Sequence, residues 1–296
     1  MILPMRLLSP ADVRSLLAAH GVRPSRALGQ NFLADPNTAR RITRLAGLAP
    51  GTRVLEVGPG VGSLTLALAE EAGEVLALEI DRHLLPVLEE VLAGAPNVSV
   101  VNGDALTADY DVLLAPGPPG VRGCPPESWA MVSNLPYNVA TPLLARLLDD
   151  VPRLGRLVVM VQKEVAERLA APPGHPACGA ISVKVAYHAT ASLLATVPPT
   201  VFVPRPRVDS AVVAFDRRPT PAVEVPSYEH LVALARAGFG QRRKMLRQAL
   251  RPVLGPAAED VLRSAGIDPA ARAETLRLDD WAGLARAAGA GSVGGG

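Results

Sequence analysis

Between residues 53 and 104, strand-like and helix-like segments alternate at a spacing that leaves few folds open. Residues 53–57, 74–79 and 98–101 are short apolar or β-branched runs, and the stretches near 62–71 and 82–93 carry a helical pattern. Parallel strands cannot be joined by a tight turn, and a crossover helix of this length is what joins them. The region predicts an α/β fold, a parallel sheet with helices on both faces. Sheets of this kind bind ligands beyond the carboxyl ends of their strands.

Outside this stretch the pattern is coarser. Ser9 followed by Pro10 predicts an N-capped helix over 9–20, and Asp35-Pro36 starts another to about Ala46. Residues 111–128 are a Pro/Gly-rich loop without helical or strand period. A strand at 129–133, a helix near 141–148, a strand at 157–161 and a helix from Lys163 follow. Residues 180–195 and 210–216 are β-rich and predict a hairpin closing the sheet edge. Beyond Arg218 only helical patterns remain, with a boundary near Pro219–Pro226. The expected organisation is one catalytic domain over 1–218, a small all-helical domain over 219–290, and a disordered tail over 291–296.

Composition excludes several classes. With 49% hydrophobic and 20% charged residues among 296, the chain has ample core material for a soluble protein. Cys124 and Cys178 stand apart with no nearby His/Cys cluster, so neither zinc nor any other metal is expected, and unpaired cysteines suit a reducing cytoplasm. No apolar run approaches a membrane span. The first residues, with Pro4, Pro10, Asp12 and Arg14, do not resemble a signal peptide. A cytoplasmic monomer is expected.

The strand ends carry the chemistry. Glu56-Val57-Gly58-Pro59-Gly60-Val61-Gly62 links the first strand of the alternation to its helix, letting a ligand approach the backbone closely at Gly58 and Gly60. A dinucleotide site would require a third glycine placed for pyrophosphate contact. Glu56 before the loop and Pro59 within it are more typical of S-adenosylmethionine sites. The next strand ends in Glu79-Ile80-Asp81, where one carboxylate can accept both ribose hydroxyls and the other can cap the following helix. Asp104, after the third strand, is placed to accept an adenine amino group; alone it would read as a turn residue.

The fourth strand end reads Asn134-Leu135-Pro136-Tyr137-Asn138. Methylating the exocyclic amine of adenine is difficult because the nitrogen lone pair is delocalised into the ring. An Asn side-chain oxygen with the next backbone carbonyls can accept its two N–H groups and draw the nitrogen toward tetrahedral geometry. Pro136 stiffens the turn that aims these acceptors, and Tyr137 offers a stacking surface for a flipped base. No general base is needed, so positioning and hydrogen-bond polarisation would carry catalysis.

Four further runs complete the pattern: Leu28-Gly29-Gln30-Asn31-Phe32-Leu33, Met160-Val161-Gln162-Lys163-Glu164-Val165-Ala166, Phe202 through Val213, and Phe239-Gly240-Gln241-Arg242-Arg243-Lys244-Met245-Leu246-Arg247. In this order with the Asn-Leu-Pro-Tyr-Asn turn, they closely resemble the ribosomal RNA adenine dimethyltransferases over roughly residues 25–285. The resemblance implies a Rossmann-like class I S-adenosylmethionine-dependent methyltransferase fold with a small helical C-terminal domain. It implies dimethylation of the N6 amines of two adjacent adenosines in a hairpin near the 3′ end of small-subunit (16S) rRNA, with an immature 30S subunit as partner. It also implies that Asn31 and Leu33 close one side of the cofactor pocket, completed by Gly58, Glu79, Asp104 and Asn134. Tyr137 would stack on the target base and Phe202 flank it, although an aromatic before a Pro-x-Pro turn is often a core plug. The chain departs from the family at Cys178-Gly179 and Ala186, where a Tyr-Gly and a later Gln are usual.

Residues 231–258 contain no Asp or Glu but carry Arg236, Arg242, Arg243, Lys244, Arg247 and Arg251. Arg243, Arg247 and Arg251 recur every four residues, predicting one cationic helix stripe beside an anchoring stripe of Leu246, Leu250 and Val253. Like charges at that spacing repel unless a phosphate backbone relieves them, so Arg242, Arg243, Lys244, Arg247 and Arg251 are candidate RNA contacts. Arg23, Arg26, Arg40, Arg41 and Arg44 form a second candidate cluster. The competing readings are a large-subunit (23S) rRNA methyltransferase conferring macrolide resistance and, from another class, a ribosome-assembly factor whose main role is binding. A DNA adenine methyltransferase is disfavoured because no base-reading domain accompanies the core.

Overall fold

Nine strands form in the computed structural model, which describes residues 6–25, 27–115 and 129–291. They are β1 (Phe32–Leu33), β2 (Arg53–Val57), β3 (Glu74–Glu79), β4 (Val98–Asn102), β5 (Trp129–Asn134), β6 (Leu154–Gln162), β7 (Ala189–Val197), β8 (Phe202–Val203) and β9 (Ser210–Arg217). Seven build one sheet in the order β4-β3-β2-β5-β6-β9-β7, while β1 and β8 pair separately. β2 runs parallel to β3 and β5, β3 to β4, and β5 to β6; β9 is antiparallel to β6. The order reverses between β2 and β5, the switch point at which such sheets open a crevice. Val54, Leu55, Val75, Ala77, Met131 and Val132 are fully enclosed. That matches central strands covered on both faces, where near-continuous apolar runs replace alternation.

The helices around this sheet are α1 (Pro10–Ala19), α2 (Pro36–Ala46), α3 (Ser63–Glu71), α4 (Leu85–Leu92), α5 (Tyr110–Leu113) and α6 (Ala140–Asp150). Their starts are chemical. Ser9 Oγ accepts Asp12 N while Asp12 Oδ2 accepts Ser9 N at 2.9 Å, and Asp35 accepts Thr38 N at 2.8 Å. Ile42, Leu68, Val158, Val212 and Phe202 share one apolar cluster with β2 and β3. Each large aliphatic side chain so buried contributes about 1.5–3 kcal/mol relative to exposure.

The chain divides into two compact units, Met1–Ala166 with Ser192–Asp216, and Glu167–Ala191 with Arg217–Gly296. The helices from α7 onward are α7 (Lys163–Ala170), α8 (Ala180–His188), α9 (Tyr228–Gly240), α10 (Leu246–Ala249), α11 (Arg251–Leu254), α12 (Ala258–Ser264) and α13 (Leu278–Gly291). In the second unit Leu231, Leu234, Leu246, Leu250, Leu262 and Trp281 make the core, joined by Val183 and Tyr187.

Three expectations need correction. Residues 180–188 are a helix, not the first half of a hairpin; only 189–197 is strand. The alternating Val183-Lys184-Val185 suggests a strand, but Val183 and Tyr187 lie one helical turn apart and both enter the helical core. Ser182 sets the start by accepting Gly179 N at 2.9 Å and donating to Arg168 O at 2.6 Å. For the same reason Glu167–Ala191 groups with the C-terminal helices, whereas a linear boundary near 218 leaves it in the first domain. The cationic stripe is also broken: α9 ends at Gly240, a turn carries Arg243, and Arg247 and Arg251 fall on the separate α10 and α11. Pro252, at the start of α11, lacks the N–H that a continuous helix would use. Leu246 and Leu250 are buried as anchors, while Val253 is exposed. Arg26, Cys124, residues 116–128 of the Pro/Gly-rich loop and residues 292–296 of the tail lie outside the described residues.

Candidate active site

The loop after β2 is held open by its glycines. Gly60 has φ +60°, and a Cβ there would lie 2.7 Å from the Phe32 ring, so only glycine fits without displacing β1. Gly58 N donates to Leu78 O at 3.0 Å, tying the loop to β3. A Cβ on Gly58 would sit 3.5 Å from Pro136 and one on Gly29 3.0 Å from Asn138 Oδ1. Three segments, 28–33, 58–60 and 134–138, therefore line one pocket together with Glu79 and Asp104.

Glu79 lies at the end of β3 and is 3% exposed. Its Oε2 accepts Gly60 N at 3.2 Å and its Oε1 accepts Asp81 N at 2.8 Å, which orients both oxygens at the pocket. Burial pushes this carboxyl up, and the two backbone bonds only partly restrain the rise. Asp81 takes the capping role: it accepts His83 N at 3.0 Å and Gln30 Nε2 at 2.7 Å. Burial raises Asp81, but the hydrogen bonds from Gln30 and His83 outweigh it and hold the carboxyl low. Of the two candidates, Glu79 is thus the one that lines the pocket. Asp104 closes its own turn by accepting Leu106 N at 2.8 Å through Oδ1 and lines the pocket from the end of the neighbouring strand β4.

The turn after β5 is fixed from several sides. Ser133 is buried and accepts Val57 N at 2.9 Å, registering β5 against β2. Leu135 N donates to Met160 O at 3.0 Å. Asn134 Nδ2 donates to Asn31 O at 3.2 Å, and Asn138 Nδ2 to Ala27 O at 3.0 Å, so the 27–33 segment is clasped to the turn. That bond occupies one of the two N–H groups of the Asn134 amide and fixes its orientation, so Oδ1 can accept from a ligand. Pro136 O accepts both Val139 N and Ala140 N at 3.2 Å, at the start of α6. Of the two backbone carbonyls expected to hold an amine, Pro136 O is therefore already used, and Leu135 O has no donor among the described residues. The Tyr137 hydroxyl is 2.8 Å from Ser210 Oγ.

Asn31, Leu33, Gly58, Gly60, Glu79, Asp104, Asn134, Pro136 and Tyr137 all line this pocket. Phe202 does not. It is 4% exposed, pairs with Leu33 across β8 and β1, and belongs to the apolar core. Sequence reasoning did not single out Gln30 as a bridge, Ser210 as a partner of Tyr137, or the isolation of Glu56. Glu56 is 1% exposed, and burial raises its pKa to about 8, with the Glu79 charge adding to the effect. The Thr65 hydroxyl lies near enough to ease the charge in part, yet neither Thr65 Oγ1 nor Glu56 Oε2 completes a hydrogen bond.

Among the basic candidates, Arg242, Arg243, Lys244, Arg247 and Arg251 are all exposed. Arg242 is held by Glu274 at 2.7 Å and by Pro176 O, an acidic partner distant in sequence. In the second cluster Arg40 pairs with Glu70 at 3.3 Å. Among the described residues no His, Cys, Asp and Glu cluster could hold a metal, and no helix is long and apolar enough to cross a membrane.

The family model for ribosomal RNA adenine dimethylase matches residues 22–288. A ribosomal RNA small subunit methyltransferase A from Pelotomaculum thermopropionicum is 47% identical over 94% of this chain and 95% of its own length. The protein of the same name from Kineococcus radiotolerans is 48% identical over 94% of this chain and 91% of its own. Among solved structures, 23S rRNA methyltransferase ErmE superposes with a TM-score of 0.65 at 30% identity, covering 88% of this chain and 100% of that one. With the family model spanning nearly the whole chain and the pocket assembled from its motif residues, this protein belongs to the ribosomal RNA adenine dimethylase family.

Proposed function

We propose that this chain dimethylates the N6 amines of two adjacent adenosines in a hairpin near the 3′ end of small-subunit (16S) rRNA, using S-adenosylmethionine. The observation that carries the chemistry is the bond from Asn134 Nδ2 to Asn31 O, which fixes the Asn134 amide at a pocket that Leu135 also lines and supports Oδ1 as the acceptor for an amine. The choice of the small subunit rests on relatives of that name at 47–48% identity, against 30% for the large-subunit enzyme.

The pocket fits the cofactor by its donor set. Glu79 presents two oxygens pre-aimed by backbone N–H groups, as two sugar hydroxyls require, and Asp104 offers a further acceptor from the end of the neighbouring strand. The glycine loop admits a ligand against its backbone next to Pro136. When bound, S-adenosylmethionine supplies an electrophilic methyl group on a sulfonium sulfur. Asn134 Oδ1 and Leu135 O accept the two N–H groups of the adenine amine and hold its lone pair toward the pocket. The Tyr137 ring supports the base plane, and Pro136 keeps the turn rigid. The amine's surplus proton leaves to solvent, since the Asn-Leu-Pro-Tyr-Asn turn itself holds no general base. The exposed Arg243, Lys244, Arg247 and Arg251 hold RNA phosphates. The protein acts in the cytoplasm as a monomer on an immature 30S particle.

The test is methyl transfer from labelled S-adenosylmethionine to small and large subunits that lack the modification. Dimethyladenosine on the small subunit alone is expected. Label on the large subunit, or on neither, overturns the reading.

A further inference from the structure

Ser210 opens β9 and is fully buried. Antiparallel pairing sets it opposite Gln162 at the end of β6, while Asn134 pairs with Met160 on the other side of that strand. The catalytic turn therefore leaves β5, crosses over the end of β6, and reaches β9, where the Tyr137 hydroxyl meets Ser210 Oγ at 2.8 Å. Backbone bonds flank both contacts: Leu135 N to Met160 O and Lys163 N to Asp209 O, each 3.0 Å. Main-chain hydrogen bonds of the adjoining residues thus brace the contact on both sides.

A phenol O–H lies in the plane of its ring. A partner for it fixes more than the position of the oxygen, because it also sets the rotation of the ring about its long axis. A stacked base follows that plane, and the angle of the plane decides whether its amine meets Asn134 Oδ1 and Leu135 O together. We propose that Ser210 is a positioning residue for methyl transfer, anchoring Tyr137 so that its ring presents the target adenine to Asn134. Burial also keeps the Tyr137 phenol above its ordinary pKa, so it stays a neutral anchor. This inference rests on the adenine-methylation reading.

A double-mutant cycle tests it on small subunits lacking dimethyladenosine. Ser210→Ala and Tyr137→Phe each remove the hydrogen bond and keep the ring; each is expected to lower kcat roughly five- to tenfold, the effect of one positioned hydrogen bond. The KM for S-adenosylmethionine stays unchanged. The double variant should be no slower than either single one, because both break the same link. Ser210→Thr, which retains the hydroxyl on a strand, should restore the rate. Thermal melts identify any folding defect; should Ser210→Ala not fold, Ser210→Cys replaces it, keeping the volume with a weaker bond. Wild-type kcat in Ser210→Ala (or its Cys replacement), or multiplicative losses in the double variant, overturns the proposal. An inactive wild-type protein would overturn the functional reading itself.

Discussion

Asn134 donates its side-chain nitrogen to the main-chain oxygen of Asn31, 103 residues earlier in the chain, at 3.2 Å. The bond decides which end of the Asn134 amide faces the pocket, and an amide turned the other way would meet an amine donor with another donor. Asn134→Ala is expected to reduce kcat by roughly a hundred- to a thousandfold, the usual loss when a preorganised polar group is removed from a transition state. The melting temperature should stay near wild type, since the side chain sits at a strand end. Methyl incorporation alongside a thermal melt checks both halves.

Gly60 tests the cofactor loop without touching a charge. Alanine there must accept φ +60° and place a methyl 2.7 Å from the Phe32 ring. The backbone alone costs about 1–2 kcal/mol, and relief of the clash moves either the loop or β1. Gly60→Ala is expected to lose stability by about 2 kcal/mol and to weaken S-adenosylmethionine binding at least tenfold by calorimetry. Binding at wild-type affinity would show that the loop backbone does not touch the ligand.

Much of this site is legible in the sequence because its parts lie at strand ends, where short motifs keep their local geometry. Gly58, Glu79, Asp104 and Asn134 each follow a strand whose apolar run is plain, so the fold collects them without long-range information. What the sequence conceals are contacts between residues far apart. Arg242 has no acidic neighbour in the local sequence, and its partner Glu274 comes from 32 residues further along the chain. Phe202 has the sequence context of a base-flanking residue, yet its pairing with Leu33 makes it core. The period-two pattern of 180–188 misleads because Val183 and Tyr187 also satisfy a helical turn, and packing decides between the two. Pro252 is visible in sequence, but four-residue arginine spacing outweighs it unless the helix break is taken into account.

Glu56 makes stability depend on pH. Its folded pKa of about 8 exceeds the ordinary 4.5, so between those values the folded state holds a proton that the unfolded chain has released. Stability contributed by the protonated carboxyl is full below about pH 4.5 and declines as pH rises to about 8, then levels off. Glu56→Gln mimics the protonated form and should flatten that slope. Denaturant unfolding across pH 5–9 is expected to show the variant gaining on the wild type as pH rises, by a few kcal/mol at most. Parallel curves for the two proteins would mean that Glu56 is ionised in the folded state.

The exposed arginines of the second unit separate two kinds of basic residue. Arg247 projects into solvent from α10, whereas Arg242 is occupied by Glu274 and Pro176 O. A cation that contacts a phosphate releases counterions on binding, and removing it lowers the dependence of log K on log salt by about one. Arg247→Ala should therefore weaken binding to small-subunit RNA and shallow its salt dependence by about one unit. Arg242→Ala should leave the salt slope nearly unchanged and act on stability instead, by up to about 1 kcal/mol as for a surface ion pair. Binding isotherms at several salt concentrations distinguish the two. Equal slopes for Arg247→Ala and wild type would remove α10 from the RNA surface and leave Arg243, Lys244 and Arg251 to be tested in turn.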